Sequence, residues 1–226
     1  MDREVLKTNL NALFEYARAV EAQTGRRLYI VGATKTRTAE EINLAASLGL
    51  EIAGENKAQE FRDKMPLVSS SVQKHFIGHL QANKVKYVVG VASLIHSCDC
   101  LQIAEAVSKR AEALGICQDM LIEVNISGEE NKHGFAVTEV FDAAKRLKAV
   151  KNVRFRGLMT VLPHADEQIV RECCKKMKEL FDALRPELGE QFELLSMGMS
   201  EDYRIAVSCG ANMIRIGRGI FGERRK

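Results

Sequence analysis

The chain has 226 residues, 46% hydrophobic and 28% charged, enough for one large core or two small ones and ordinary for a globular protein. Thirty-three basic residues against 30 acidic leave a net charge of +3, too small to argue for nucleic acid, and no Lys/Arg stripe alternates with aromatics. No apolar run reaches membrane-spanning length, and six cysteines in so long a chain do not form a disulfide framework, so a reduced, cytoplasmic protein is expected.

The start, Met1-Asp2-Arg3-Glu4-Val5, is charged and lacks the apolar core of a signal peptide. A helix is expected over Asp2–Thr24, ahead of the first strand. Short β-type runs then recur at Leu28–Thr34, Glu51–Ala53, His75–Ile77, Leu94–Ser97, Met120–Asn125, Arg154–Thr160, Glu193–Ser196 and Met213–Ile216. Helix-type stretches separate them: Thr38–Leu48, Asn56–Met65, Gln81–Val89, Cys100–Leu114, Val137–Val150, Asp166–Leu184 and Glu201–Cys209. Gly49, Gly90, Gly115 and Gly210 stand where helices should stop. There is no repeat, no low-complexity segment and no Pro/Gly/Ser linker, so one domain over residues 1–226 is expected. The final Arg224-Arg225-Lys226 reads as a solvated tail.

Eight strands, each followed by a helix, predict an α/β protein of the (β/α)8 TIM-barrel type with an additional N-terminal helix. The alternative is a doubly wound open sheet. That fold normally has a Gly-rich turn after its first strand, and here the turn is Lys35-Thr36-Arg37. The barrel is preferred.

In such barrels the chemistry gathers where strands run into the following loops. Those positions carry Lys35, Glu55-Asn56, His79, Ser97, Asn125, Met159-Thr160, Ser196 and Arg215-Gly217. A polar residue there is often only a cap or a turn former, but lysine is neither. A lysine held apart from water is more easily neutral and nucleophilic. Ser200 reads as the N-cap of a helix carrying Glu201 and Asp202, and its hydroxyl could equally hold a phosphate. Gly217 and Gly219 would let backbone amides approach an anion. Barrel phosphate sites lie in the loops after strands 7 and 8, where these residues fall. A carbonyl-reactive amine plus a phosphate cradle points to pyridoxal 5'-phosphate (PLP).

Other motifs are set aside. His75 and His79 are four apart on a strand and loop with no carboxylate in register, so no metal site is expected. Cys98-x-Cys100 and Cys173-Cys174 lack zinc spacing. No nucleophile elbow and no Walker loop appear. The polar loop Asn125-Ile126-Ser127-Gly128-Glu129, with Lys132 and Gly134, is longer than a turn requires.

The chain resembles the pyridoxal phosphate homeostasis proteins, related to the N-terminal barrel of alanine racemases. The matching segments are Ala33-Thr34-Lys35-Thr36, Gly54-Glu55-Asn56, His75-Phe76-Ile77-Gly78-His79-Leu80-Gln81-x-Asn83-Lys84, Ile95-His96-Ser97 and Val124-Asn125-Ile126-Ser127-Gly128-Glu129. They continue with Gly157-Leu158-Met159-Thr160, Leu195-Ser196-Met197-Gly198-Met199-Ser200, Arg215-Ile216-Gly217 and Ile220-Phe221-Gly222. The resemblance implies a barrel of the alanine racemase N-terminal type with PLP held as a Schiff base on Lys35. It further implies phosphate contacts from Ser200 and the Gly217-Arg218 backbone, and Arg215 near the pyridine nitrogen. Asn56, Asn125, Met159 and Ser196 complete the expected cofactor-binding set. The family often has Ser where Thr34 stands and a second Lys where Arg37 stands.

The resemblance implies buffering and delivery of PLP to PLP-dependent apoenzymes, without catalysis and with the chain expected as a monomer. The alternative is a PLP-dependent amino-acid racemase. Racemisation on this scaffold resembles a two-base reaction that needs a further β-domain, and the sequence ends at Lys226, four residues past its last barrel signature. That domain is therefore expected to be absent. Lys132 is the candidate second amine for transfer.

Overall fold

A ring of eight parallel strands forms the centre of the computed structural model, which describes residues 2–223. In chain order the strands are β1 (Tyr29–Ala33), β2 (Ile52–Glu55), β3 (Gln73–Phe76), β4 (Leu94–Cys98) and β5 (Gln118–Asn125). After them come β6 (Phe135–Ala136), β7 (Val153–Met159), β8 (Leu194–Ser196) and β9 (Met213–Ile216). β1 pairs with both β2 and β9, and β4 with β5, so the ring closes without β6. β6 is a two-residue addition beside Val124 and Asn125. The expected (β/α)8 barrel is the observed one.

The barrel strands carry apolar residues on both faces because they are covered on both. Val31, Ile52, Ile77, Leu94, Leu121, Met159, Leu194 and Met213 meet inside, one from each strand or its end. The outward-facing residues pack against the helices in a second, larger core. α1 (Arg3–Thr24) starts on Asp2, whose carboxylate accepts from the Glu4 and Val5 amides, and stops at Gly25 in the left-handed conformation. It buries Leu6, Leu10, Leu13 and Ala17, a helical stripe. Each leucine contributes about 1.5–3 kcal/mol of burial. Asn9 on the same helix donates to the Ile220 carbonyl, joining the two ends of the chain.

The remaining helices are α2 (Ala39–Ser47), α3 (Ala58–Lys64), α4 (Leu101–Ala113), α5 (Val140–Lys148), α6 (Glu167–Leu188), α7 (Tyr203–Ser208) and α8 (Arg218–Phe221). Thr38 and Glu41 form a reciprocal capping box at α2. Four expectations need correction. The helix expected over Gln81–Val89 is a 3₁₀ helix over Ala82–Tyr87, whose threefold turn puts Val85 and Val88 on one buried side. The segment around Val137 is not helical, because Phe135–Ala136 pairs with β5 first. α6 continues past Leu184 through Pro186, which forfeits a single bond near the helix end. α7 begins at Tyr203, not Glu201, and Ser200 is not its N-cap. The expected tail, Arg224-Arg225-Lys226, lies outside the described residues.

Strand contact sets one glycine. A Cβ on Gly157 of β7 would lie 1.7 Å from the Leu194 carbonyl oxygen of β8. Gly157→Ala must therefore push two strands of a closed ring apart. We expect a loss of about 3 kcal/mol or more, read as a lower urea midpoint at unchanged m-value. A midpoint within experimental error of the parent would contradict the packing described for β7 and β8.

Candidate functional site

Lys35 follows β1 in a tight turn with Thr36, whose φ of 68° is unusual for a β-branched residue. Three ties hold this turn. The Thr34 hydroxyl and amide both donate to the Gly54 carbonyl. Lys64 of α3 donates from Nζ to the Thr34 carbonyl at 3.1 Å and pairs with Glu55, which is fully buried at the end of β2. Arg37 is buried, and its guanidinium donates to the Gly222 and Glu223 carbonyls, both at 3.0 Å. Where the family often has a second lysine, this chain thus has a clamp on its own C-terminal segment. A serine at Thr34 would keep the hydroxyl bond to Gly54.

The half-buried Lys35 side chain faces a cavity of about 620 Å³ at the C-terminal ends of the strands. Ser200, Arg215, Gly217 and Arg218 line the same space, which is of ordinary size for a small-molecule site. Ser200 Oγ accepts from the Gly219 amide at 3.2 Å, so the β8 loop and the β9–α8 turn touch through this hydroxyl. A Cβ on Gly217 would meet only Ala33, at 3.5 Å. Packing alone does not demand glycine there, and its absence of a side chain leaves the turn's backbone open to the cavity. Arg218 pairs with Glu201 at the rim. A second hollow of about 700 Å³, lined by Phe14, Leu28 and Tyr29 among others, lies near the N-terminal end of β1, away from the chemical face.

Beneath the cavity, Arg215 is 5% exposed. Its Nη1 donates to the Ser196 carbonyl and hydroxyl at 3.0 and 2.7 Å, and Nη2 to the Thr160 carbonyl at 2.7 Å. The Ser196 hydroxyl also lies 3.2 Å from His96 Nδ1, and His96 Nε2 lies 3.0 Å from His75 Nδ1. With Arg215 donating to Ser196, the hydroxyl hydrogen goes to His96 and the His96 Nε2–H goes to His75, which pairs every member. Burial pushes His75 down to about 3 and His96 well below its ordinary range, so both rings are neutral. Burial also brings Arg215 down to about 10, with Glu123 opposing that shift. The guanidinium remains charged at neutral pH.

Five of the nine residues expected from the sequence therefore line one cavity. The others do not line it. Met159 and Ser196 are buried in the barrel beneath it. Asn56 stands after β2 with its Oδ1 buried and without a hydrogen-bond partner. Asn125 spends its carboxamide on its own loop, donating to the Glu129 and Lys132 carbonyls and accepting from the Gly128 amide. Lys132 pairs with Glu129 and donates to the Leu162 carbonyl at 3.1 Å. Sequence reasoning missed Glu123, His96 and Asp99. Glu123 is a carboxylate inside an apolar run, 6% exposed, raised to about 7 by burial and by the nearby Asp99. That one charge within Leu121-Ile122-Glu123-Val124 was the available signal. His79, set aside for want of a carboxylate, meets Asp99 from the next strand end at 2.8 Å.

The fold and this arrangement define a barrel of a known class. The family model for the alanine racemase N-terminal domain matches residues 8–225. A pyridoxal phosphate homeostasis protein of Aquifex aeolicus is 41% identical over 198 residues, 87% of each chain. One of Schizosaccharomyces pombe is 36% identical over 208 residues, 90% of this chain and 87% of that one. Among solved structures, PipY of Synechococcus elongatus superposes with a TM-score of 0.87 at 26% identity, over 96% of this chain and all of that one. The same protein with PLP bound superposes at 0.85 and 24% identity, over the same shares of the two chains. The chain belongs to the pyridoxal phosphate homeostasis protein family, within the alanine racemase N-terminal domain class.

The neutral histidine pair fixes a pH response. Unfolded, His75 takes a proton below about pH 6.5, and folded only below about 3, so the unfolded state binds more protons between these values and stability falls as pH falls. His75→Gln keeps a polar partner for His96 and removes that titration. Between pH 6 and 4 its unfolding free energy should fall less steeply than the parent's, by about 1.4 kcal/mol per pH unit. Denaturant titrations at several pH values measure this, and parallel curves would mean that His75 is not buried neutral.

Proposed function

We propose that the chain holds PLP covalently through Lys35 Nζ in the 620 Å³ cavity and serves to buffer and deliver it. The observation that carries this reading is the presence of one half-buried lysine and the Ser200 and Gly217 loops in the same cavity. The residues suit the group. Ser200 Oγ and the backbone of the β9–α8 turn can take a phosphate, since Gly217 carries no side chain to obstruct it. Arg215 has its Nε–H and one Nη2–H left after its three bonds. When bound, PLP supplies an aldehyde that amines capture and release and a ring that withdraws electrons.

Arg215 also bears on carrier against catalyst. A charged guanidinium donates and never accepts, so a ring nitrogen facing it stays unprotonated and withdraws electrons weakly. Relatives named as homeostasis proteins agree with a carrier. Six unpaired cysteines suit a reducing compartment such as the cytoplasm, and among the described residues no helix is long and apolar enough to cross a membrane. Apoenzymes that need PLP would be the recipients. An amino-acid racemase is the second reading, favoured by the family model alone.

Purified protein should show a visible absorption band that borohydride abolishes, with the reduced adduct mapping to Lys35. Lys35→Ala should lose the band. Ser200→Ala should keep it but bind PLP roughly tenfold to a hundredfold more weakly, the loss of one charge-assisted hydrogen bond. An adduct on another lysine would move the site, and unchanged affinity would leave Ser200 only its bond to Gly219.

Transfer separates the two functions. Mixed with a PLP-dependent apoenzyme and a trap for free PLP, the loaded protein should activate the enzyme faster than it releases PLP to solution. With L- and D-amino acids it should turn over no faster than free PLP. Racemisation well above that level would establish the enzyme reading.

A further inference from the structure

Away from the cavity, a second polar cluster sits at the same end of the barrel, over β3, β4 and β5. His79 follows β3, Asp99 follows β4, and His133 belongs to the loop after β5. His79 Nδ1 is 2.8 Å and His133 Nδ1 3.8 Å from the same oxygen, Asp99 Oδ2. One ligand atom from each of the three lies within 4.8 Å of the others. The Asp99 side chain is 8% exposed, and its other oxygen, Oδ1, is buried without a hydrogen-bond partner. None of the three lines the Lys35 cavity.

The backbone fixes this meeting. Gly134, at φ 113°, lies so close to β5 that a Cβ would come within 2.6 Å of the Asn125 nitrogen. The loop is therefore pressed back onto the strand end, which sets His133 beside His79, their rings stacked 3.8 Å apart and 9° from parallel. Both rings thus bring Nδ1 toward one oxygen of a carboxylate whose other oxygen is buried without a hydrogen-bond partner.

We propose that His79, Asp99 and His133 form a site for a divalent transition cation of the zinc type. Two imidazoles and one carboxylate are a donor set that favours zinc, cobalt or nickel over magnesium or calcium. Bonds of about 2.0–2.2 Å to a tetrahedral ion separate its ligands by about 3.3 Å. The two nitrogen–oxygen separations, 2.8 and 3.8 Å, bracket that value. A cation needs each ring to aim a lone pair in its own plane, so His133 must swing out of the stack. Its side chain is 54% exposed and free to do so. The cation would tie the 126–134 loop to the ends of β3 and β4, while solvent completes its coordination.

The test is calorimetric titration of Zn²⁺ into the whole chain and into His133→Ala, Asp99→Asn and Cys117→Ser, the last removing an exposed thiol. One ion per chain is expected in the parent and in Cys117→Ser, with at least a tenfold weaker affinity in the other two. Hydrogen exchange in residues 126–134 should slow when Zn²⁺ is added to the parent, and not in His133→Ala. His133 sits in an exposed loop, so the far-UV circular dichroism of His133→Ala should match the parent's. No binding by the parent, unchanged affinity in His133→Ala, or loss in Cys117→Ser would each overturn the site.

Discussion

A guanidinium inside a barrel constrains everything around it. Arg215 is charged and buried, and an uncompensated charge there would cost several kcal/mol. The compensation comes from where β7 and β8 end: the Thr160 and Ser196 carbonyls and the Ser196 hydroxyl. The Ser196 carbonyl also accepts from the Thr160 amide, so the strand ladder and the charge share one acceptor. These acceptors serve only if the strands stop at the right height, which couples the length of two strands to a single side chain. Burial keeps His96 neutral, and His75 and this same charge add to the effect.

The position of Lys35 depends on neighbours in the same way. Its turn includes Thr36 at a positive φ, a strain on the order of 1 kcal/mol or more that persists only when the surroundings over-determine it. The bonds of Thr34 to Gly54, Lys64 to Thr34 and Arg37 to the C-terminal segment do this. The buried Glu55–Lys64 pair serves as a bracket: Glu55 also accepts from the Asn56 amide, so one carboxylate orders both strand ends. The proposed anchoring role of Lys35 would be poorly served by a mobile loop. Here the backbone on both sides of it is fixed.

Much of this was legible in the sequence, for physical reasons. Alternation of apolar runs with helical stripes reports a two-layer barrel directly, since every strand must be buried twice and every helix once. Lys35 and Gly217 stood out because a lysine directly after a strand is neither a cap nor a turn former and a glycine leaves backbone open, and the structure places both at one cavity. The errors came where short-range signals lost to long-range ones. Ser200 followed by two acids looks like an N-cap, yet its hydroxyl accepts from Gly219 while Asp202 accepts from the Met199 amide. The role of the Asn125 carboxamide in organising its own loop was likewise not visible in the local sequence. His79, Asp99 and His133 are separated by 20 and 34 residues, so only the closed ring brings them together.

The mouth of the barrel thus has two halves. One, beside β1, β8 and β9, holds Lys35 and the proposed phosphate loops. The other, over β3 to β5, holds Asp99 with its two histidines. They are not independent. The chain Arg215–Ser196–His96–His75 crosses the interior between them, with hydrogen-bond separations of 2.7 to 3.2 Å. Glu123 is the common neighbour: burial raises its carboxyl most, Asp99 on one side adds to the rise and Arg215 on the other opposes it. At such burial an effective dielectric far below that of water lets each charge be felt across several ångströms. A change of charge on Asp99 or on Arg215 therefore registers at Glu123, which links the Arg215 network to the cluster over β3 to β5.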